Sequence, residues 1–200
     1  MARGLRPPPP GHLSRRGPAP TPSANGAERA RRGGRTAARL RPCGSAGPAP
    51  TTSKLLTRLR LAFLADHRGT DPSTCSPAFT ARTAGWLAER TESGRLHTWF
   101  AEVDDRAVGL ASVVLHDLPP RPEEERTLVG HLLHVWVDPA HRRLGIGRAL
   151  TTACLAAGPE LGVRAFSLHA TEDGRPLYEQ LGFEPVPTWM ERPGPPPQGR

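Results

Sequence analysis

Long apolar runs, cysteines and lysines are all scarce in this chain of 200 residues. No apolar run has the length needed to cross a bilayer, and none near the start resembles the hydrophobic region of a signal peptide. The three cysteines, Cys43, Cys75 and Cys154, are widely spaced and odd in number, which fits neither a disulfide framework nor a metal site. We therefore expect a cytoplasmic protein with no metal and no membrane partner.

Acidic residues are almost missing from the first quarter of the chain. Residues 1–50 contain ten arginines and one acidic residue, whereas residues 51–200 contain 17 basic and 18 acidic residues. The net charge of +8 thus belongs to the start of the chain. Lys54 is the only lysine, and the excess of Arg, Ala, Gly and Pro indicates a GC-rich genome. The charge therefore does not predict a nucleic-acid partner.

Large apolar side chains are also nearly absent from residues 1–36, so this segment is predicted to be a disordered tail. A transit peptide and an over-extended start site are alternatives, although four consecutive prolines argue against the helix that a transit peptide needs. Residues 191–200 are predicted to be a second disordered tail. One folded domain is then expected at 37–190.

Within 37–190, hydrophobic periodicity alternates between helix and strand. The second half has the order strand–helix–strand–helix, which predicts an α/β unit. The predicted elements are a short strand at 37–42, helices around 55–63 and 79–90, a hairpin of 97–103 and 107–116, strands at 131–137 and 164–170, a helix from 146 to 157, and a short helix within 175–183.

The stretch "HRRLGIGRAL" places three arginines and two glycines where the strand at 131–137 should turn into a helix. Free N–H groups and the macrodipole at a helix start form an anion pocket. Gly145 and Gly147 let a ligand approach the backbone, and the arginines add charge-assisted hydrogen bonds. The stretch is neither a Walker loop nor a dinucleotide fingerprint. It predicts a diphosphate-binding loop, with a plain Gly-rich turn as the alternative.

The segments "VWVDPAHRRLGIGRAL" and "LYEQLGF" together resemble the GCN5-related N-acetyltransferase (GNAT) family. The family's Arg-x-x-Gly-x-Gly loop falls on Arg142, Gly145 and Gly147, and its Leu-Tyr-x-x-x-Gly-Phe signature begins at Leu177. The resemblance is strong over about 97–187 and weaker over 37–96. It implies an α/β (α+β) fold with a mixed, mostly antiparallel central sheet flanked by about four helices. One departure is Thr171, where family members often have Asn; Thr can still cap the backbone.

The resemblance also implies where acetyl-CoA, the co-substrate, would bind. The molecule would lie between the strands at 131–137 and 164–170, with its pantetheine arm against the backbone of Val135 and Val137. The diphosphate would contact the loop and the first turn of the helix. The implied cofactor-binding residues are Val135, Val137, Arg142, Arg143, Leu144, Gly145, Ile146, Gly147 and Arg148.

Catalytic roles follow from the same resemblance. Tyr178 would protonate or stabilise the departing thiolate. A base should deprotonate the amine, and His134 is the candidate chosen, with His131 and Glu102 as alternatives. His169 and Trp136 are weaker candidates, as walls of the substrate pocket. Cys154 is expected in the core of its helix rather than as a nucleophile.

We thus expect acetyl transfer from acetyl-CoA to a small-molecule or peptide amine, by direct attack in a ternary complex. The acidic segment 121–126 is predicted to be a solvated loop, with a lip that attracts a cationic amine as the alternative. The alternatives are a non-catalytic acyl-CoA-binding module on the same fold and an interaction protein with a nucleic-acid-binding tail. The sequence does not identify the acceptor, and it permits a homodimer.

Overall fold

The computed structural model describes residues 38–43, 50–69, 71, 74–120, 122 and 127–186, all within one compact unit. The predicted tails at 1–36 and 191–200 lie outside this part, as does nearly all of the predicted acidic lip. The described elements are the strands β1 (Arg39–Pro42), β2 (Leu96–Val103), β3 (Arg106–Asp117), β4 (Leu128–Val137) and β5 (Val163–Leu168), and the helices α1 (Pro50–Arg68), α2 (Pro77–Glu92), α3 (Ile146–Ala156) and α4 (Arg175–Glu179).

The five strands form one sheet in the order β1-β2-β3-β4-β5. The pairs from β1 to β4 are antiparallel, and β4 pairs with β5 in parallel after the α3 crossover. Asp104 and Asp105 connect β2 to β3 with φ of 49° and 57°, the positive values that a tight two-residue hairpin turn needs. The predicted fold class, with a mixed, mostly antiparallel sheet and about four helices, is confirmed.

Both faces of the sheet are covered, because α3 packs on one and α1 with α2 on the other. On the α3 face, Leu150 and Cys154 are buried against β3 and β4. On the α1/α2 face, Leu56, Leu59 and Leu87 are buried against Phe100 and Leu110. Two apolar layers of this kind hold the central strands rigidly, which fixes the residues that follow each strand.

The strand β4 is interrupted by a bulge. Ser112 pairs with Leu133 and Leu110 pairs with Trp136, so two residues of β4, His134 and Val135, face a single residue of β3. His134 takes a φ of 58° there. The bulge resets the alternation of side chains. Plain alternation would place Val135 and Leu132 on opposite faces of the sheet. Because of the bulge, both pack on the α3 face.

β4 and β5 separate beyond the bulge. Their pairing runs from Leu128↔Val163 to Leu132↔Leu168. Among the described residues, none of β5 pairs with 133–137 of β4. We call 128–132 the paired half of β4 and 133–137 its open half. The open half therefore has backbone groups on its β5 side that no strand of the described sheet pairs with.

Two further findings concern composition. The three cysteines are free, with Cys43 and Cys154 buried. In the described part of the chain, no helix combines the length and the apolar character needed to span a bilayer.

Candidate functional site

The junction between β4 and α3 is built by local sequence. Asp138 follows the last residue of β4, and its Oδ1 accepts a hydrogen bond of 3.0 Å from the N–H of Ala140, which starts a single 3-10 turn at Pro139–His141. Gly145 then takes a φ of 81°, a left-handed conformation that favours glycine, and α3 begins at Ile146. The predicted strand–turn–helix arrangement is confirmed.

The first turn of α3 offers unoccupied hydrogen-bond donors. No side chain caps this helix and its first turn contains no acidic residue. The N–H groups of Ile146, Gly147 and Arg148 lie where helix geometry provides no carbonyl partner. A Cβ on Gly147 would meet Leu177 and Val137 only at 3.7 and 3.9 Å, which are ordinary contacts. The protein's own packing therefore does not require a glycine here, whereas an anion approaching these N–H groups would.

Arg142 is held by the protein itself. Its Nε donates a 3.0 Å hydrogen bond to the carbonyl of Val137, and its guanidinium forms an ion pair with Asp66 of α1. Trp136 also donates from Nε1 to Asp66, over 3.1 Å. The charge of Arg142 is thus already compensated. Sequence reasoning missed Asp66, since nothing in the chain relates it to a residue 76 positions away.

The remaining residues of the loop differ in the charge and in the exposed side-chain surface that they offer to a ligand. Arg148 hydrogen-bonds to the side-chain oxygen of Gln180, a neutral partner, and so keeps its net charge. Arg143 is exposed with a φ of 63°. Leu144 is 57% exposed, whereas the side chain of Ile146 is only 5% exposed and belongs to the core. Ile146 can therefore contribute only its backbone to a ligand.

Tyr178 lies on α4, next to the separation of the strands. Its ring packs edge-on against Phe183, with the ring centroids 5.9 Å apart. The ring also lies close to Gly174, where an added Cβ would come within 3.2 Å of it. Thr171 accepts a 3.2 Å hydrogen bond from the N–H of Gly174, which confirms that Thr can cap this turn. Burial raises the pKa of the Tyr178 phenol and Cys154 raises it further, so the hydroxyl stays protonated and able to donate.

A cavity of about 460 Å³ adjoins Tyr178. Its walls come from His131 in the paired half of β4, from β5 and the residues after it, and from α4 with the segment that follows. Aromatic, charged and imidazole side chains all contribute. The lining residues are His131, Phe166, Ser167, Leu168, His169, Ala170, Arg175, Tyr178, Glu179, Phe183, Glu184, Pro185 and Val186. The volume suits a small ligand or part of a larger one.

His134, the candidate base chosen from the sequence, lies away from this cavity. It is 4% exposed and its ring lies 5.8 Å from that of Phe63 on α1. It points away from Val135, as predicted, and the bulge places it on the face that α1 covers rather than on the face of Leu132. Burial, then the charge of Arg60, lowers the pKa of His134 to about 3. Its role as the base stays a prediction, and an imidazole with this pKa holds a proton weakly.

The other candidates fall in different places. His131 and His169 line the cavity. Glu102 accepts a 3.0 Å hydrogen bond from Arg41 on β1 and is not among the lining residues. Cys154 is fully buried, and burial raises its pKa to about 12, which confirms its place in the core and makes it unsuited to nucleophilic attack.

Comparisons with known proteins agree with this architecture. Relatives include a mycothiol acetyltransferase of Thermomonospora curvata, 32% identical over an alignment 108 residues long that covers 49% of this chain and 33% of that protein. Another is a glucosamine 6-phosphate N-acetyltransferase of Trypanosoma brucei brucei, 35% identical over 78 residues, 39% of this chain and 51% of that protein. The chain thus spans a third to about half of the length of these relatives.

Solved structures extend the likeness over most of the chain. A GCN5-related N-acetyltransferase from Ralstonia eutropha JMP134 is 30% identical with a TM-score of 0.64, covering 78% of this chain and 97% of that one. A predicted acetyltransferase from Clostridium acetobutylicum, solved with acetyl-CoA, shares the fold at 20% identity, with a TM-score of 0.66 and coverage of 78% and 96%. The model of the acetyltransferase (GNAT) family matches residues 57–183. The chain belongs to that family.

Proposed function

We propose that this protein transfers an acetyl group from acetyl-CoA to a small-molecule amine by direct attack, without an acyl-enzyme. One observation carries the proposal. Pairing between β4 and β5 ends at Leu132↔Leu168, where residues of both strands line the cavity of Tyr178, and the open half of β4 continues from there to the uncapped first turn of α3. A long substrate with an anionic end and a reactive end fits such a path.

The residues of the open half and the α3 loop are our candidates for binding acetyl-CoA. Backbone groups of Val135 and Val137 would pair with the pantetheine arm, as an added strand pairs with a sheet edge. The carbonyl of Val137 already accepts from Arg142, but a carbonyl oxygen has a second lone pair. The diphosphate would receive hydrogen bonds from the backbone at 143–148, with Gly145 and Gly147 permitting the approach.

The arginines would contribute unequally. Arg148 has a neutral partner and Arg143 is exposed, so both can direct charge towards a phosphate. Arg142 is paired with Asp66 and bound to the end of β4, so we assign it mainly to holding the loop against α1. Leu144 would cover the ligand from its exposed position.

In the chemical step, Tyr178 supplies a proton or a hydrogen bond to the departing sulfur. A phenol with a raised pKa is a weaker acid than usual, so charge stabilisation is its larger contribution. Positioning the amine beside the thioester supplies much of the remaining rate. Cys154, buried and with a pKa near 12, supports the absence of a covalent enzyme intermediate.

The acceptor is proposed to be a small molecule because of the cavity's size and of the relatives. One relative is named for glucosamine 6-phosphate and another for mycothiol. A cavity of about 460 Å³ admits an amine of one or two rings. Glu179 and Glu184 line it and can attract an ammonium group, while Arg175 can bind an anionic substituent.

The test is a screen of the full chain with acetyl-CoA and a panel of amines, with release of the thiol as the readout. The panel contains glucosamine 6-phosphate, spermidine, an aminoglycoside, and peptides offering an α-amine or a lysine. Acetylation of at least one small amine, verified by mass, is the expected result. Tight acetyl-CoA binding with no turnover across the panel would instead favour the non-catalytic acyl-CoA-binding module.

A further inference from the structure

Three histidines from three neighbouring strands meet beside the cavity. The ring of His131, on β4, lies 6.3 Å from that of His116 on β3 and 5.4 Å from that of His169, which follows β5. Both contacts are edge-on. Histidines so far apart in sequence come together only because the sheet register places their strands side by side.

His131 occupies the middle of this row, and a serine fixes its orientation. Its Nδ1 lies 3.0 Å from Oγ of Ser167, its partner in the β4–β5 register. When Nδ1 carries the proton and donates it to the hydroxyl, the lone pair of the ring is on Nε2. A hydrogen bond on one imidazole nitrogen selects the tautomer in this way, leaving the other nitrogen as a proton acceptor.

The position of His131 relates it to the reaction proposed above. It precedes Leu132, the last residue of β4 that pairs with β5, so it lies where the two strands begin to separate. It also lines the same cavity as Tyr178. An acceptor amine in this cavity would therefore have an imidazole on one side and the phenol on the other.

The charge state of His131 suits a base at neutral pH. Burial is the largest cause that lowers its pKa below the ordinary 6.5, followed by His169 and then His116. The ring is thus mostly neutral at pH 7 and can accept a proton. The titratable and charged groups that contact its ring or line the same cavity are His116, His169, Arg175, Tyr178, Glu179 and Glu184.

We propose that His131, oriented by Ser167, accepts the proton that the acceptor amine loses as it attacks the thioester. This inference rests on the function proposed above and adds the identity of the base. It gives the role to a cavity-lining histidine in place of His134, which is packed under Phe63, and of Glu102, which is paired with Arg41.

The amine arrives as an ammonium ion and releases one proton to solvent. The neutral nitrogen forms a bond to the acetyl carbon, and His131 takes the second proton from that nitrogen. The carbon–sulfur bond breaks and Tyr178 protonates the sulfur. His131 returns its proton to Tyr178 through the shared cavity, so the products are the amide, the free thiol and one proton in solution.

The test compares His131→Gln with His116→Gln, using the best amine of the panel above. We expect His131→Gln to lower kcat/KM at pH 7 by about a hundredfold or more. Its affinity for acetyl-CoA should match that of the unaltered protein, which also shows that the variant is folded. The rate of His131→Gln should recover in part at high pH, because hydroxide can then accept the proton that the imidazole would have taken.

His116→Gln is the matched control, since it removes a neighbouring imidazole of the same row that does not line the cavity. It should keep the maximal rate. The acidic limb of the pH profile of kcat/KM should move to higher pH, because one of the causes that lower the pKa of His131 is gone. In His131→Gln the same limb should disappear. A limb that persists unchanged in His131→Gln would overturn the inference.

Ser167 is a positioning residue and gives a second readout. Ser167→Ala should lower kcat about tenfold and leave the affinity for acetyl-CoA unchanged, whereas Ser167→Thr should restore most of the rate because it keeps the hydroxyl. Loss in both variants alike would contradict the role of the hydroxyl. If the unaltered protein and His131→Gln acetylate an amine equally well, only this inference fails. If the unaltered protein acetylates no amine of the panel, the proposed function itself fails.

Discussion

The paired and open halves of β4 offer two ways of building a site. The open half runs into a turn and a helix whose form is contained in ten consecutive residues, 141–150. The groups proposed to bind acetyl-CoA there are largely backbone N–H donors. The paired half contributes His131, whose partners Ser167, His169 and His116 come from two other strands. Local sequence defines the first region and sheet register the second. Changes in the open half should therefore affect acetyl-CoA binding, and changes near the paired half should affect turnover.

The largest expected effect is a loss of acetyl-CoA binding at the α3 loop, which follows the open half. Gly147→Val places a branched side chain beside the uncapped N–H groups of α3, so acetyl-CoA should bind more than about a thousandfold more weakly, roughly 4 kcal/mol. The protein itself has room for a Cβ there. Titration calorimetry at several salt concentrations measures the change.

The matched control for that variant is Gly85→Val, which places the same side chain at an exposed helical glycine with nothing within 4 Å. It should leave acetyl-CoA binding unaltered. If Gly147→Val bound acetyl-CoA normally, the junction would be a turn without a ligand and the proposed path would be wrong.

The second effect concerns the cavity that adjoins the paired half. Tyr178→Phe removes only the hydroxyl, so acetyl-CoA affinity should hold while kcat falls by about ten- to a thousandfold. Steady-state and single-turnover kinetics measure it. Phe183→Leu changes the ring packed against Tyr178 and keeps the hydroxyl, so a smaller loss is expected there. An unchanged rate of the chemical step in Tyr178→Phe would limit Tyr178 to packing.

The third effect concerns His134, at the bulge in the open half. Its pKa of about 3 in the folded protein is below the usual 6.5, so the unfolded chain binds the extra proton as the pH falls. This difference in pKa contributes to the free energy of unfolding above pH 6.5, and the contribution is lost progressively towards pH 3. The loss between pH 6.5 and pH 4 is about 3 kcal/mol.

His134→Asn tests this, because Asn tolerates the positive φ that the bulge requires. The variant should be less stable at pH 7 yet lose less stability than the unaltered protein between pH 6.5 and pH 4, as measured by denaturant unfolding at each pH. His97→Gln, on β2, controls for removal of a histidine as such. If the free energy of unfolding changed with pH in the same way for His134→Asn and the unaltered protein, His134 would not be buried in its neutral form.

The smallest effect distinguishes two arginines of the open half. Arg148→Ala should weaken acetyl-CoA binding about tenfold, and the loss should shrink as salt rises. Arg142→Ala should lose less, because Asp66 already compensates its charge. Calorimetry across salt concentrations gives both values. The reverse order would mean that Arg142 leaves Asp66 to bind the diphosphate.

The order of helices and strands was predictable from periodicity, because each element is long enough to show its own pattern. The bulge in β4 was not, since "HLLHVWV" reads as plain alternation and only the pairing of Ser112 and Leu110 with β4 reveals the extra residue. The same limit affected the candidate base. Its position in the strand predicts His134 as the base, whereas its low pKa arises from burial against a helix about 70 residues earlier and then from the charge of Arg60 on that helix.

The sequence by itself determined the family and the form of the β4–α3 junction, because a glycine-rich turn, a cap and a helix start depend on neighbouring residues. It also placed Tyr178 on a short helix next to the end of β5. The tertiary structure alone decided that Arg142 is paired with Asp66, that His131 lies against Ser167 and between two other histidines, and that His134 is buried. Each of these contacts joins residues that are far apart in the chain, and their distances are fixed by strand register and helix packing, which no local pattern encodes.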